Sequence, residues 1–181
     1  VRTVNIRLAQ PLLEEEKDEA NLPWRVLPEI AGGGKFLDLA AHTLDLFDYY
    51  FGPIDQASGF AVNQGGYYPA EDNVVMGFRF KNGIQGTGSW TFNCYHDLDQ
   101  NEIIGNQGRL IFSSFNEEAI ILENQEGRKK IEFSYPEHVQ QPLLKKVVAS
   151  LLGKGKSPST GESAARTTKV MDQIIANYYK S

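Results

Sequence analysis

At 181 residues and 20.2 kDa, the chain is long enough to build one core without disulfide staples and reads as a single domain over 1–181. Hydrophobic residues at 41% and charged residues at 23% exclude a disordered chain. The balance of 18 Lys and Arg against 23 Asp and Glu leaves a net charge of −5, which argues against nucleic acid or an anionic membrane as partner.

The first residues alternate at Val4, Ile6 and Leu8, the period of a half-buried strand over 1–10. Acidic residues between Pro11 and Pro23 predict a loop, and Pro28 followed by Gly32-Gly33-Gly34 predicts a further break. A helix is predicted over 36–51, stopped by Gly52-Pro53. Alternating segments at 55–63, 73–80, 84–95, 102–104, 109–112, 119–123 and 130–135 predict strands. Asn82-Gly83 between two of them predicts a hairpin with a type I′ turn. Two helices close the chain, at 142–152 and from a capping box at Ser159-Thr-Gly-Glu162 to about Tyr179, the last with Ala164, Met171, Ile174, Ile175 and Tyr178 on one side. This order predicts an α+β fold, a large and mostly antiparallel sheet with helices on one face.

The lone Cys94 excludes an intrachain disulfide and fits a reducing, cytoplasmic setting. No apolar run reaches the roughly 20 residues of a membrane helix. The chain has neither a signal peptide nor an initiator Met and opens inside a strand, so a fragment or processed product is expected.

Chemistry concentrates on the first helix. At about 100° per residue, Leu37, Ala40, Ala41, Leu44, Phe47 and Phe51 share one arc, and Asp38, His42, Asp45 and Tyr49 share another. A carboxylate, an imidazole and a second carboxylate thus stack at i, i+4 and i+7. Asp38 can orient the imidazole, and His42 can then take a proton from an alcohol. The glycine triplet lets backbone approach a ligand just where a helix N-terminus favours an anion or a polarised oxygen. A solvated helix face behind an ordinary turn accounts for the same residues without chemistry.

Trp24-Arg25, then Gly32-Gly33-Gly34, then Asp38-x-x-x-His42-x-x-Asp45 resembles the C-terminal domain of the Gfo/Idh/MocA family. Ile103-Ile-Gly-Asn-Gln-Gly-Arg-Leu110 and the helix after Ser159-Thr-Gly-Glu162 are similar to later parts of that domain, so the resemblance covers nearly the whole chain. It implies a fold like the C-terminal domain of glyceraldehyde-3-phosphate dehydrogenase. It also implies an NAD(P)-dependent oxidoreductase of sugars, inositols or related compounds, with NAD or NADP held by an N-terminal Rossmann domain. In the family a Lys of that domain, in a Glu-Lys-Pro segment, completes the site. By the same resemblance His42 is the general acid/base, Asp38 orients it, and Asp45 touches substrate hydroxyls. The chain departs from the family in having no Gly-x-Gly-x-x-Gly and no Glu-Lys-Pro. Taken alone it is expected to be inactive and to bind no dinucleotide.

Further candidates each have a plainer alternative. Trp24 and Arg25 could contact substrate or cofactor, or simply pack. Asn93 and His96, at the end of the strand from Ile84, could line the substrate pocket or decorate a loop. Lys35, read by residue type as exposed, could touch substrate. Gly32, Gly33 and Gly34 are the backbone expected nearest the cofactor. The outer side of the 84–95 strand, Gln85, Thr87, Ser89, Thr91, Asn93 and Tyr95, is uncharged and suits self-association, a mode the family also uses. A homodimer or higher oligomer through the sheet is therefore expected. Two rival readings are a metal site from Asp38, His42, Asp45 and His96, and a non-catalytic interaction module using Phe78, Phe80, Trp90 and Phe92 on alternating sheet faces.

Overall fold

A computed structural model describes residues 1–180. Eight strands form one sheet: β1 (Thr3–Gln10), β2 (Ile54–Val62), β3 (Asn73–Phe80), β4 (Gln85–Phe92), β5 (Leu98–Ile104), β6 (Gly108–Phe112), β7 (Ile120–Asn124) and β8 (Gly127–Ile131). Their spatial order is β2-β3-β4-β1-β5-β6-β7-β8. β1 pairs with β4 in parallel and with β5 antiparallel, and the remaining neighbours are antiparallel. Four helices accompany the sheet: α1 (Pro28–Ala31), α2 (Lys35–Phe51), α3 (Gln141–Leu151) and α4 (Gly161–Tyr179). The α+β class and the mixed, mostly antiparallel sheet are as read from the sequence.

The core follows from the two periodicities. Val4, Ile6 and Leu8 of β1, Val74, Met76, Phe78 and Phe80 of β3, and Trp90 and Phe92 of β4 all point to one side of the sheet. Phe36, Ala40, Leu44 and Phe47 of α2 and Val170, Met171, Ile174 and Ile175 of α4 cover them. Each such large side chain contributes roughly 1.5–3 kcal/mol by leaving water. Trp90 meets the edge of Phe36 with ring centroids 5.0 Å apart. The four aromatics expected on alternating faces are therefore buried on one face, and the interaction-module reading loses its aromatic surface.

Polar ties fix the end of α2 to α4 and to the β3–β4 hairpin, and α4 to β2. Arg166 of α4 makes a forked pair with the buried Asp48, at 2.7 and 3.2 Å. Gln173 of α4 donates to the Ala57 carbonyl of β2 at 2.8 Å. Asn82, in the β3–β4 hairpin, donates to the Phe51 carbonyl at the end of α2 at 2.9 Å.

Several local expectations are corrected. The hairpin forms, but only Gly83 has a positive φ, at 90°, and the Phe80 amide bonds the Ile84 carbonyl across a three-residue loop. That is a turn ending in a left-handed glycine rather than type I′. The α4 cap sits one residue later than read: Thr160 accepts from the Ser163 amide, and the Ser163 hydroxyl closes the box on the Thr160 amide. One turn on, Ala164 is exposed, and Ser163 and Thr167 take the buried side. β5 starts at Leu98, earlier than read, and β8 ends at Ile131, short of 135. α3 buries no side chain, so only α2 and α4 form the helical layer. Among the described residues, no helix is long and apolar enough to cross a membrane.

Candidate active site

The exposed stripe of α2 stands as the helical period requires. Asp38, His42 and Tyr49 are exposed and Asp45 is half-buried. His42 and Asp45 line a groove of about 270 Å³ whose opposite wall is Ser159, Thr167 and Thr168, from the start of α4 and the residues before it. Phe115, in the loop after β6, meets the His42 ring edge-on at 5.7 Å.

Asp38 has a different partner from the one expected. Arg25, in the short 3-10 turn Trp24–Val26, donates from Nε to Asp38 Oδ2 at 3.1 Å, and its guanidinium lies 4.5 Å from the Trp24 ring centroid. Among the described residues, no hydrogen bond joins Asp38 to His42. The two share a face but not a bond, because Arg25 competes for the carboxylate from a neighbouring segment.

Lys35 is not exposed. It is 6% accessible, and its Nζ lies 2.6 Å from Glu16 Oε1 as an ion pair, though off the line of a well-directed hydrogen bond. The rings of Phe92 and Tyr68 lie 4.9 and 5.7 Å from the same nitrogen. By helical angle Lys35 belongs to the Asp38–His42 stripe, but the 3-10 turn Glu14–Glu16 covers that end of it. Burial first, and then the negative charges of Glu16, Asp72 and Glu71, push the Tyr68 phenol up in pKa.

The glycine triplet is engaged internally. Gly32 caps α1 with φ 80°. Gly34 caps α2, and its amide donates to Glu71 Oε1 at 3.0 Å. Glu71 is fully buried and also accepts from the Tyr179 hydroxyl. Burial pushes the Glu71 carboxyl above the usual carboxylate range, against the pull of those hydrogen bonds. Burial and the adjacent Glu71 together push the Tyr179 phenol up. A protein carboxyl thus occupies the amide that a bound anion would need, and no strand leads into this turn. Among the described residues, this glycine turn does not have the strand-to-helix form of a dinucleotide cradle.

Asn93 has φ 60° and donates to Asp72 Oδ2 at 3.2 Å. His96 is exposed beyond β4 and is not part of the His42 groove. Among the described residues, no three of His, Cys, Asp and Glu converge as a metal ion requires, so the donor set of the metal reading is not assembled. Sequence reasoning missed Phe115, Ser159, Thr167 and Thr168. The last two sit about two helical turns after the cap, and nothing in their spacing signals the groove they face.

A sequence model described as GFO/IDH/MocA C-terminal domain matches residues 1–111. Oxidoreductase P35 of Formosa agariphila is 36% identical over 159 residues, covering 86% of this chain and 47% of that protein. The chain therefore spans less than half the length of this curated relative. The aldose-aldose oxidoreductase from Caulobacter crescentus, complexed with glycerol, superposes with a TM-score of 0.81 at 15% identity over 99% of this chain and 54% of that one. Levoglucosan dehydrogenase, in complex with NADH and levoglucosan, superposes with a TM-score of 0.78 at 17% identity over 99% of this chain and 57% of that one. At such identities the solved structures bear on the fold alone.

Proposed function

This chain belongs to the GFO/IDH/MocA family, as an oxidoreductase C-terminal domain, and from that premise we propose that it is the substrate-binding and catalytic half of a two-domain NAD(P)-dependent enzyme. The proposed reaction interconverts a CH–OH group and a carbonyl on a sugar, cyclitol or related hydroxy compound. The observation that carries this reading is the exposed His42, set between Asp38 and Asp45 on a helix tied down on both sides and opening on a groove of sugar-friendly hydroxyls.

In the proposed parent the nicotinamide dinucleotide is held by a Rossmann domain outside this chain and accepts or donates the hydride. This chain's residues do the rest. His42 takes the hydroxyl proton as the alcohol becomes a carbonyl and returns it in the reverse direction. Asp38 steadies the imidazolium that forms, within the reach of an i, i+4 pair, and Arg25 holds its carboxylate until then. Asp45, Ser159 and Thr168 offer hydrogen-bonding partners to neighbouring substrate hydroxyls. We further propose that the open sheet face joins two copies.

The test is steady-state kinetics and dinucleotide binding of the full-length parent carrying His42→Ala. Turnover should fall by roughly 10²–10⁴, the share of a general acid/base, while dinucleotide affinity stays near that of the unaltered protein. Unchanged turnover would remove His42 from the chemistry. Micromolar binding of NADH or NADPH by the isolated 1–181 chain would overturn the division of labour between the domains.

A further inference from the structure

We propose that the site extends into an oxyanion-binding subsite beside Tyr49, so that the substrate is an acidic carbohydrate; this rests on the oxidoreductase reading above. Tyr49 ends the stripe that begins at Asp38, seven residues beyond His42 and about 10 Å further along the helix axis. It lines a second groove of about 500 Å³ together with Lys146 of α3 and with Lys154, Gly155, Lys156 and Ser157 of the link to α4. Two residues past Ser157, Ser159 lines the His42 groove. The two grooves therefore follow one another along one face of α2.

Three features make the second groove a site for negative charge. Its three lysines come from two segments and form none of the ion pairs among the described residues, in a chain whose net charge is −5. Among the described residues, the amides of Gly155, Lys156 and Ser157 donate to no backbone acceptor, which leaves backbone donors beside the ammonium groups. Gly155 has no side chain to fill the space, since a Cβ there would meet only Ala149, at 4.0 Å.

The neighbouring charges also set the direction of binding. Asp38 and Asp45 flank His42 and repel an anion from that end, while the lysines attract it to the other. A neutral hydroxyl is thereby directed to His42 and an acidic group to Tyr49. Their separation exceeds a single sugar ring, so the acid is carried on a linked residue or arm. A uronate carboxylate, a sulfate ester and a phosphate share the required chemistry.

The experiment assays the full-length parent with dinucleotide on matched pairs of neutral and acidic disaccharides, with uronate, sulfate and phosphate arms. An acidic member should be preferred. The triple variant Lys146→Gln, Lys154→Gln, Lys156→Gln should lower kcat/KM for it about tenfold more than for its neutral partner, as loss of charge-assisted hydrogen bonds does. The arm with the largest difference identifies the acid. A preference for the neutral members, or one that survives the triple variant, overturns the proposal. Absence of turnover on every sugar counts against the oxidoreductase reading instead. The subsite is then read by calorimetric titration of the parent with inorganic sulfate. Binding lost in the triple variant supports it. Equal heats in both proteins overturn it, as do lysines already shielded from chemical acetylation in the ligand-free parent, which would mark contact with another part of the protein.

Discussion

Glu71 and Tyr179, 108 residues apart, share a hydrogen bond, and the same Glu71 carboxyl accepts the amide of Gly34 at 3.0 Å. The last turn of α4 and the turn that launches α2 thus hang on one buried acid. Everything that aims His42 begins at that turn.

The shared acid makes stability depend on pH with a definite sign. Burial raises the folded-state pKa of Glu71 above its ordinary value of 4.5. The folded chain then keeps a proton that the unfolded chain has released. The stability this group contributes is fully present below pH 4.5 and is lost as pH rises through the folded pKa. Glu71→Gln cannot titrate. In urea unfolding from about pH 4 to pH 8, the stability of the natural chain relative to Glu71→Gln should decline as pH rises. Parallel curves would show that Glu71 keeps its ordinary pKa on folding.

Glu16 and Lys35 present the second buried charge problem. Either one, left alone at its present burial, has no counter-ion. Glu16→Ala should cost about 3–5 kcal/mol by stranding Lys35 between the rings of Phe92 and Tyr68. The double variant Glu16→Leu, Lys35→Met should recover most of that loss, because an apolar pair of similar volume needs no desolvation of charge. Denaturant titration of the three proteins decides it. A double variant no better than the single would show that the pair stabilises the fold outright.

The contrast between Lys35 and His42 marks what was legible in the sequence. Both lie on one helical stripe, and period alone placed Asp38, His42, Asp45 and Tyr49 correctly on the outside. Lys35 is on the same side by angle, but Glu16 comes from a loop nineteen residues earlier, and no local pattern records that it folds over the helix start. Arg25 competes for Asp38 in the same way. The core strands were legible because Val74, Met76, Phe78 and Phe80 alternate. The Thr160 cap was misplaced by one residue because Ser163 supplies the hydroxyl that Glu162 was expected to supply as a carboxylate. The lysine groove is not legible in the sequence because Lys146 belongs to a short surface doublet and Lys154 and Lys156 to a separate segment, and only α3 and its link bring them together.

Gly34 should be the least replaceable residue of the triplet. A Cβ there would lie 2.9 Å from the Ala70 methyl, the Glu71 carboxyl carbon and the Glu71 carbonyl oxygen. Backbone and a buried acid cannot move aside cheaply, so Gly34→Ala should cost roughly 1–3 kcal/mol or more by overpacking. At Gly33 the nearest atom is the flexible end of Leu37, which can turn away. At Gly32 the space is open and only the φ of 80° resists, worth about 1 kcal/mol. Thermal unfolding of the three alanine variants should rank Gly34 as the most damaging. Equal losses at Gly32 and Gly34 would mean that the Glu71 contact yields easily.

The open sheet face is expected to join two copies. On β4 its residues Gln85, Thr87, Ser89 and Thr91 are uncharged, as the sequence indicated, but the neighbouring strands add charge. Part of that charge is paired within the face: Arg109 pairs with Glu102 at 2.7 Å and with Glu123 at 2.6 Å, and Arg79 pairs with Asp55 at 3.2 Å, while Arg7 of β1 forms none of the ion pairs among the described residues. Thr87 donates to Asn5 at 2.9 Å and Asn5 donates to Glu102 at 3.1 Å, which links β4, β1 and β5 across the face. Beside it Phe60 is 76% exposed, paired across strands with Val75, itself 44% exposed. Both border a groove of about 530 Å³ that reaches Thr87 and Ser89. A twofold contact through this patch would bury Phe60 on both copies, so every contact made is made twice. Covering this face would remove more than about 1,200 Å² in total, the lower bound of a stable interface. Sedimentation of the full-length parent at micromolar concentration should show a dimer, and Phe60→Lys or Thr87→Lys should shift it toward monomer by placing like charges across the axis. A monomer at all concentrations, or a dimer indifferent to both lysines, would place the association elsewhere or remove it.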